Sequence, residues 1–136
     1  MTTDTRYEEG MKVRRKILGD AHVDRASKAM TSVTSEFQEF ITRYGWGEIW
    51  TRPAFDYRTR RILVLGTMMG LGRWEEFRMH LRAALEGGMS LVDIKEIFMQ
   101  QSIYCGLPIA NTGFHHLLEI MAELQAKGVE IVGLEA

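Results

Sequence analysis

The sequence predicts an all-α fold of about six helices. Only two prolines, Pro53 and Pro108, interrupt 136 residues. Apolar residues recur at three- and four-residue spacing along most of the chain, and no segment shows the period-two alternation of a half-buried strand. The length fits one domain, residues 1–136, with no room for a second.

The first assigned helix runs from about His22 to Tyr44, where Ala26, Met30, Val33, Phe37, Phe40, Ile41 and Tyr44 form one stripe. Gly45 and Gly47 end that pattern and open a loop to Pro53 that carries Trp46, Glu48, Trp50 and Arg52. Asp56 caps a helix through Ile62, Leu63, Leu65 and Met69 to about Gly70. Trp74 to Glu86 follows almost at once, with Trp74, Phe77, Leu81, Ala84 and Leu85 facing the core and Gly87-Gly88 as its stop. Ser90 with Asp93 has the spacing of a capping box and starts a helix through Ile94, Ile97, Phe98 and Ile103. Gly106 breaks that helix. Pro108 sits in the first turn of a last helix ending near Gly128, whose stripe is Ile109, Gly113, Leu117, Ile120 and Leu124.

Composition narrows the function classes. A formal net charge of -1 and dispersed basic residues argue against nucleic acid or an acidic membrane as partner. The one basic cluster, Lys12-Val13-Arg14-Arg15-Lys16, lies near Glu8, Glu9 and Asp20. A single cysteine, Cys105, excludes an intramolecular disulfide and a cysteine-built zinc site. With no apolar leader and no run of about 20 apolar residues, a cytoplasmic protein is expected.

Chemistry concentrates on two helices and one loop. His80 falls at the edge of the apolar stripe of its helix, with Glu76 at i−4 and Arg73 two turns before it. An imidazole at such a boundary is placed to exchange protons, and Glu76 can orient it; an ordinary hydrogen-bonded boundary histidine fits the same pattern. On the last helix His115 shares a face with Asn111, Glu119 and Ala122, which is either solvated or meets another subunit. His116 lies between faces and reads as a surface histidine near a carboxylate. In the loop, Trp46 and Trp50 serve either as core plugs or, with Glu48 and Arg52, as a pocket wall for a small anion. The i,i+4 pairs His80 with Glu76 and His115 with Glu119 match no known metal-ligand spacing, so no metal is expected, and no serine triad, phosphate loop or dinucleotide fingerprint occurs.

Several stretches resemble the carboxymuconolactone decarboxylase family. They are Arg6-Tyr7 through Gly10-Met11, Val13-Arg14-Arg15, Leu18-Gly19-Asp20-Ala21-His22-Val23-Asp24-Arg25 and Glu36-Phe37-Gln38-Glu39. Further along are Trp46-Gly47-Glu48-Ile49-Trp50-Thr51-Arg52-Pro53, Arg58-Thr59-Arg60 and His80-Leu81-Arg82-Ala83-Ala84. The last are Gln101-Ser102-Ile103-Tyr104-Cys105-Gly106-Leu107-Pro108 and Ala110-Asn111 before Phe114-His115. The likeness holds its register from about Arg6 to Glu123. It departs from the family pattern at Ala54-Phe55-Asp56-Tyr57, at the bulky Met68 to Trp74 segment, and at His116, where an apolar residue is usual.

The resemblance implies an alkylhydroperoxidase-D-like helical domain in a homo-oligomer, trimer or hexamer. The implied reaction is cofactor-independent decarboxylation of 4-carboxymuconolactone to 3-oxoadipate enol-lactone in protocatechuate catabolism. His80 is then the general acid, Glu48 or Glu76 its orienting carboxylate and His115 a reserve donor. Arg52, Arg78 or Arg82 binds carboxylate, with Trp46 and Trp50 beside the substrate. Peroxidase relatives in the broader superfamily use a Cys-x-x-Cys pair ahead of a histidine; aligned on His80, those positions hold Arg73 and Glu76, which excludes thiol chemistry there. The alternatives are a related lactone-processing enzyme with another substrate and a non-catalytic helical oligomer that binds a small acid.

Overall fold

A computed structural model describes residues 4–135. Among them are seven α-helices and one π-helical segment, with no strand, so the fold is all-α. The chain divides into two compact units between Tyr57 and Arg58.

The first unit opens with α1 (Arg6–Leu18) and α2 (Asp20–Ala29), joined at Gly19, whose φ of 88° suits glycine. Arg15, in the last turn of α1, reaches over the junction to Asp20 and Asp24, both at 3.0 Å. Helix α1 is absent from the elements read in the sequence. The single helix expected from His22 to Tyr44 is instead interrupted. Met30 is extended (φ -67°, ψ 135°), a turn follows, and α3 (Ser35–Phe40) runs on into a π-helical segment, Ile41–Ile49. Gly45 and Gly47 therefore do not end the helix, and most of the expected tryptophan loop is helical; Trp50 N–H still donates to the Gly45 carbonyl five residues back, at 3.0 Å.

The glycines have another use. A Cβ at Gly10 would collide with the Thr42 carbonyl oxygen and lie 2.7 Å from Gly47 N, and one at Gly47 would collide with the Arg6 carbonyl oxygen. Absence of side chains at both positions lets α1 cross the π-helical segment backbone to backbone. Val13, Ile17, Leu18, Val23 and Trp46 are buried in this unit. The stripe residues Val33, Phe37 and Phe40 are not: they are 87%, 61% and 58% exposed.

The second unit holds α4 (Tyr57–Leu71, which opens at the boundary), α5 (Trp74–Glu86), α6 (Leu91–Tyr104) and α7 (Leu107–Ala126). Its core joins Leu65 and Met69 of α4, Phe77, Leu81 and Leu85 of α5, Ile94 and Phe98 of α6, and Leu117, Ile120 and Leu124 of α7. Each such side chain, fully buried, contributes about 1.5–3 kcal/mol. Phe98 links Phe77, at 5.7 Å between ring centroids, to Phe114, at 4.9 Å edge-on. Ser90 caps α6 by accepting from Val92 N–H at 3.2 Å. Asp93 does not complete a capping box, because Arg58 takes both its oxygens at 2.8 and 2.9 Å and holds its carboxyl below the usual range. Ile103, placed on the apolar side by its spacing, is exposed. After α7 the chain folds back, so that Leu91 N–H donates to the Val132 carbonyl at 2.7 Å and Ile131 joins the core.

Candidate active site

The residues expected to carry chemistry fall into two groups. Trp46, Glu48, Trp50 and Arg52 belong to the first unit; Glu76, Arg78, His80, Arg82 and His115 belong to the second.

In the first group the π-helical register turns Trp46 inward and leaves Trp50 half-buried against it, ring centroids 4.8 Å apart. Trp50 also lies 6.5 Å from the Tyr57 ring. Trp46 is thus a core plug and Trp50 a wall: a hollow of about 290 Å³ is lined by Trp50, Arg52, Pro53, Phe55, Asp56 and Tyr57. An aromatic floor beside a guanidinium can hold a small carboxylate. Glu48 is exposed and meets Arg6 at 3.5 Å.

In the second group α5 spaces its polar residues so that Arg73, Glu76 and His80 follow one another at three and four residues. Arg73 donates to Glu76 Oε1 at 2.8 Å and holds that carboxyl below its ordinary value. The second oxygen, Glu76 Oε2, is buried and accepts no hydrogen bond, while His80 adds a favourable interaction with the carboxylate. His80 is half-buried, with Nδ1 enclosed. A carboxylate beside a half-buried imidazole is the arrangement that steers a proton donor.

One face of α5 meets α7 through a lattice of charge. Arg78 Nη1 donates to Glu119 Oε2 at 2.8 Å, Arg78 Nη2 approaches Glu123 Oε1 at 3.5 Å, and Arg82 Nη2 donates to Glu123 Oε2 at 2.6 Å. Arg82 holds the Glu123 carboxyl below its usual range. Two of the three arginines offered as substrate clamps, Arg78 and Arg82, are therefore already met by carboxylates of α7. The spacing signal was present: Arg78 and Arg82, like Glu119 and Glu123, stand four residues apart.

His115 is exposed. His116, read as a surface histidine, is instead half-buried, its ring 5.1 Å from Trp74 and 6.1 Å from Phe77, with Arg78 at its Nδ1. Two larger cavities also occur. One of about 490 Å³ lies along α4 and α6 between Arg58, Gly66, Asp93 and Gln101; the other, of about 380 Å³, lies in the first unit beside Arg14. Neither these two nor the Trp50 hollow is lined by His80. Among the described residues, no three His, Cys, Asp or Glu side chains converge as a metal site, and no helix is long and apolar enough to cross a membrane.

The family model for the carboxymuconolactone decarboxylase family matches residues 35–119. A 4-carboxymuconolactone decarboxylase from Acinetobacter baylyi is 37% identical over 124 residues, covering 91% of this chain and 92% of that one. The chain belongs to the carboxymuconolactone decarboxylase family. A nitrosuccinic acid decarboxylase from Metarhizium robertsii is also 37% identical, over 102 residues that cover 75% of this chain and 71% of its own. A further 4-carboxymuconolactone decarboxylase, from Pseudomonas putida, is 50% identical over 48 residues, which is 35% of this chain and all of that one. The family match takes in Trp46, Arg52, Glu76, His80 and His115 alike.

Proposed function

We propose that this carboxy-lyase converts 4-carboxymuconolactone to 3-oxoadipate enol-lactone, without a cofactor, as a cytoplasmic homo-oligomer in the breakdown of aromatic acids. The observation that carries the reading is the 37% identity along 91% of the chain to the Acinetobacter baylyi enzyme of that name.

The substrate is its own electron sink. When the bond between the ring carbon and its carboxylate breaks, carbon dioxide leaves and the electron pair enters the ring. The ring double bond shifts toward the lactone carbonyl, whose oxygen takes the negative charge. A proton delivered to the carbon next to that carbonyl completes the product. The protein must supply positive charge for the carboxylates, a donor for the enolate oxygen and an acid. His80 is the acid, Glu76 its positioning carboxylate, and Arg52 beside Trp50 a carboxylate clamp. Arg78 and Arg82 remain candidates for the same task once they exchange Glu119 or Glu123 for substrate. Glu48 and His115 are exposed and serve as auxiliary groups.

A second substrate is favoured by the Metarhizium robertsii relative. A nitro group next to a carboxylate accepts the departing electrons as a lactone carbonyl does, so the same acid and clamp suit both. Turnover is measured by carbon dioxide release from each acid, with His80→Ala beside the wild type. The variant loses roughly 10²–10⁴-fold in kcat. A folded His80→Ala that keeps most of its turnover overturns the role of His80, and a wild type inert toward the lactone overturns the substrate.

The exposed apolar side chains of Val33, Phe37 and Phe40 support association of copies, since exposed apolar surface gains from being covered.

A further inference from the structure

The decarboxylase reading leaves the cavity of the first unit unused, and that cavity has a buried cation on its wall. Arg14 on α1 is 9% exposed. Its Nη1 donates to Thr42 Oγ1 at 3.2 Å and its Nη2 to Gln38 Oε1 at 3.1 Å, while Nε is enclosed and donates to nothing. Both partners are neutral. Among the described residues no carboxylate pairs with this guanidinium. Burial pulls its affinity for a proton below the ordinary value, as expected of a charge taken out of water without a counter-ion. Arg43, on the same wall, shows the contrast: Asp4 at 2.7 Å and Glu39 at 3.0 Å neutralise it.

A buried charge is ordinarily paired. Here the space where a partner would sit is a cavity of about 380 Å³, within the range that small-molecule sites occupy. Ser27 and Ser35 and the apolar residues Met11, Ala26 and Met30 share its wall with Arg14. Glu8 and Glu39 lie on it too and offset Arg14 and Arg43 in formal charge, so a dianion is disfavoured.

We propose that this cavity binds a small organic monocarboxylate with an apolar body, whose charge is met by Arg14 and whose body rests on Met11 and Met30. Both acids considered for decarboxylation carry two carboxylates, so the occupant of this cavity is a second molecule, and the site does not depend on which acid is decarboxylated.

The test uses the whole chain and benzoate as probe, with benzamide as its neutral counterpart and inorganic phosphate as a third arm, all at one ionic strength by calorimetry. Benzoate binds at least about tenfold more tightly than benzamide or phosphate, the scale of one hydrogen bond to a charged group. Arg14→Gln loses that preference. Ala26→Phe, which fills the cavity and leaves Arg14 in place, loses benzoate binding while the chain stays folded, and it decides the matter should Arg14→Gln fail to fold. Benzoate bound no better than benzamide overturns the proposal, as does undiminished binding by Ala26→Phe. In turnover assays any effect of benzoate at this cavity is non-competitive with the dicarboxylate substrate and is lost in Ala26→Phe; competition that Ala26→Phe abolishes overturns the proposal.

Discussion

Arg78 fixes the tautomer of His116. Its Nη1 lies 2.7 Å from His116 Nδ1, and because a guanidinium only donates, Nδ1 must accept, leaving the proton on Nε2. Burial against Trp74 and Phe77 is the main cause holding the ring below its ordinary value of 6.5, and Arg78 adds to it. His22 is lowered the same way, first by burial and then by Arg14 and Arg25. The folded state therefore binds fewer protons than the unfolded chain below about pH 6.5. Stability from both rings is fully present above that pH and is lost as pH falls through 6.5 toward the folded values. Melting temperature declines between pH 7.5 and 5.5. His116→Asn keeps an acceptor for Arg78 and removes the titration, so its decline is shallower; an identical slope in variant and wild type refutes the assignment.

The crossing of α1 over the π-helical segment makes opposite predictions for neighbouring glycines. At Gly10 and Gly47 an added Cβ meets backbone atoms that cannot rotate away. Gly10→Ala and Gly47→Ala are each destabilised by about 2–4 kcal/mol. At Gly45 the nearest atom to such a Cβ is Ile41 Cγ2, at 3.8 Å, and φ is not positive. Gly45→Ala removes unfolded-state freedom and is stabilised by about 0.4–1 kcal/mol. Urea unfolding distinguishes the three, and equal effects at all of them contradict the close approach.

These same residues show where the sequence was legible. Helix α5 lies at the expected bounds, Trp74–Glu86, because its buried stripe and the Gly87-Gly88 stop agree. Pro108 and Gly106 likewise place α7. The break at Met30 has no proline or glycine to announce it. It is made by side chains: Thr34 Oγ1 accepts from Thr31 N–H at 3.0 Å and Thr31 Oγ1 from Val33 N–H at 3.2 Å, bonds that compete with the helix. Gly47 reads as a stop in the sequence yet serves a close approach of backbones. Periodicity found the stripe through Phe37 and Phe40 yet could not tell that the fold leaves it exposed. For the candidate site, the Arg73, Glu76 and His80 spacing was readable on one helix, whereas the pairing of Arg78 and Arg82 with α7 depends on how two helices meet.

If the exposed stripe is a contact between copies, charge placed on it separates them. Phe37→Glu and Phe40→Glu together lower the mass seen by sedimentation, whereas wild type sediments well above the 15.6 kDa of one chain. A wild type that sediments as a monomer ends the oligomer reading.

The ion pair of Arg82 and Glu123 gives a test of the proposed carboxylate clamp. Their 2.6 Å contact is short, yet the side chains are 33% and 47% exposed, so solvent screens it and it adds little to stability. Glu123→Gln should leave melting nearly unchanged. If Arg82 binds substrate, Glu123 competes with the incoming carboxylate for the same guanidinium, and its neutralisation lowers KM by about threefold or more with little change in kcat. Arg82→Gln then raises KM about tenfold or more, the scale of a lost hydrogen bond to a charged group. Arg52→Gln provides the comparison, since the Trp50 hollow offers an aromatic floor beside its guanidinium. Steady-state kinetics of the three variants separate the cases. A KM that responds at Arg52 and at neither Arg82 nor Glu123 assigns Arg82 to the joint between α5 and α7 and leaves Arg52 as the clamp.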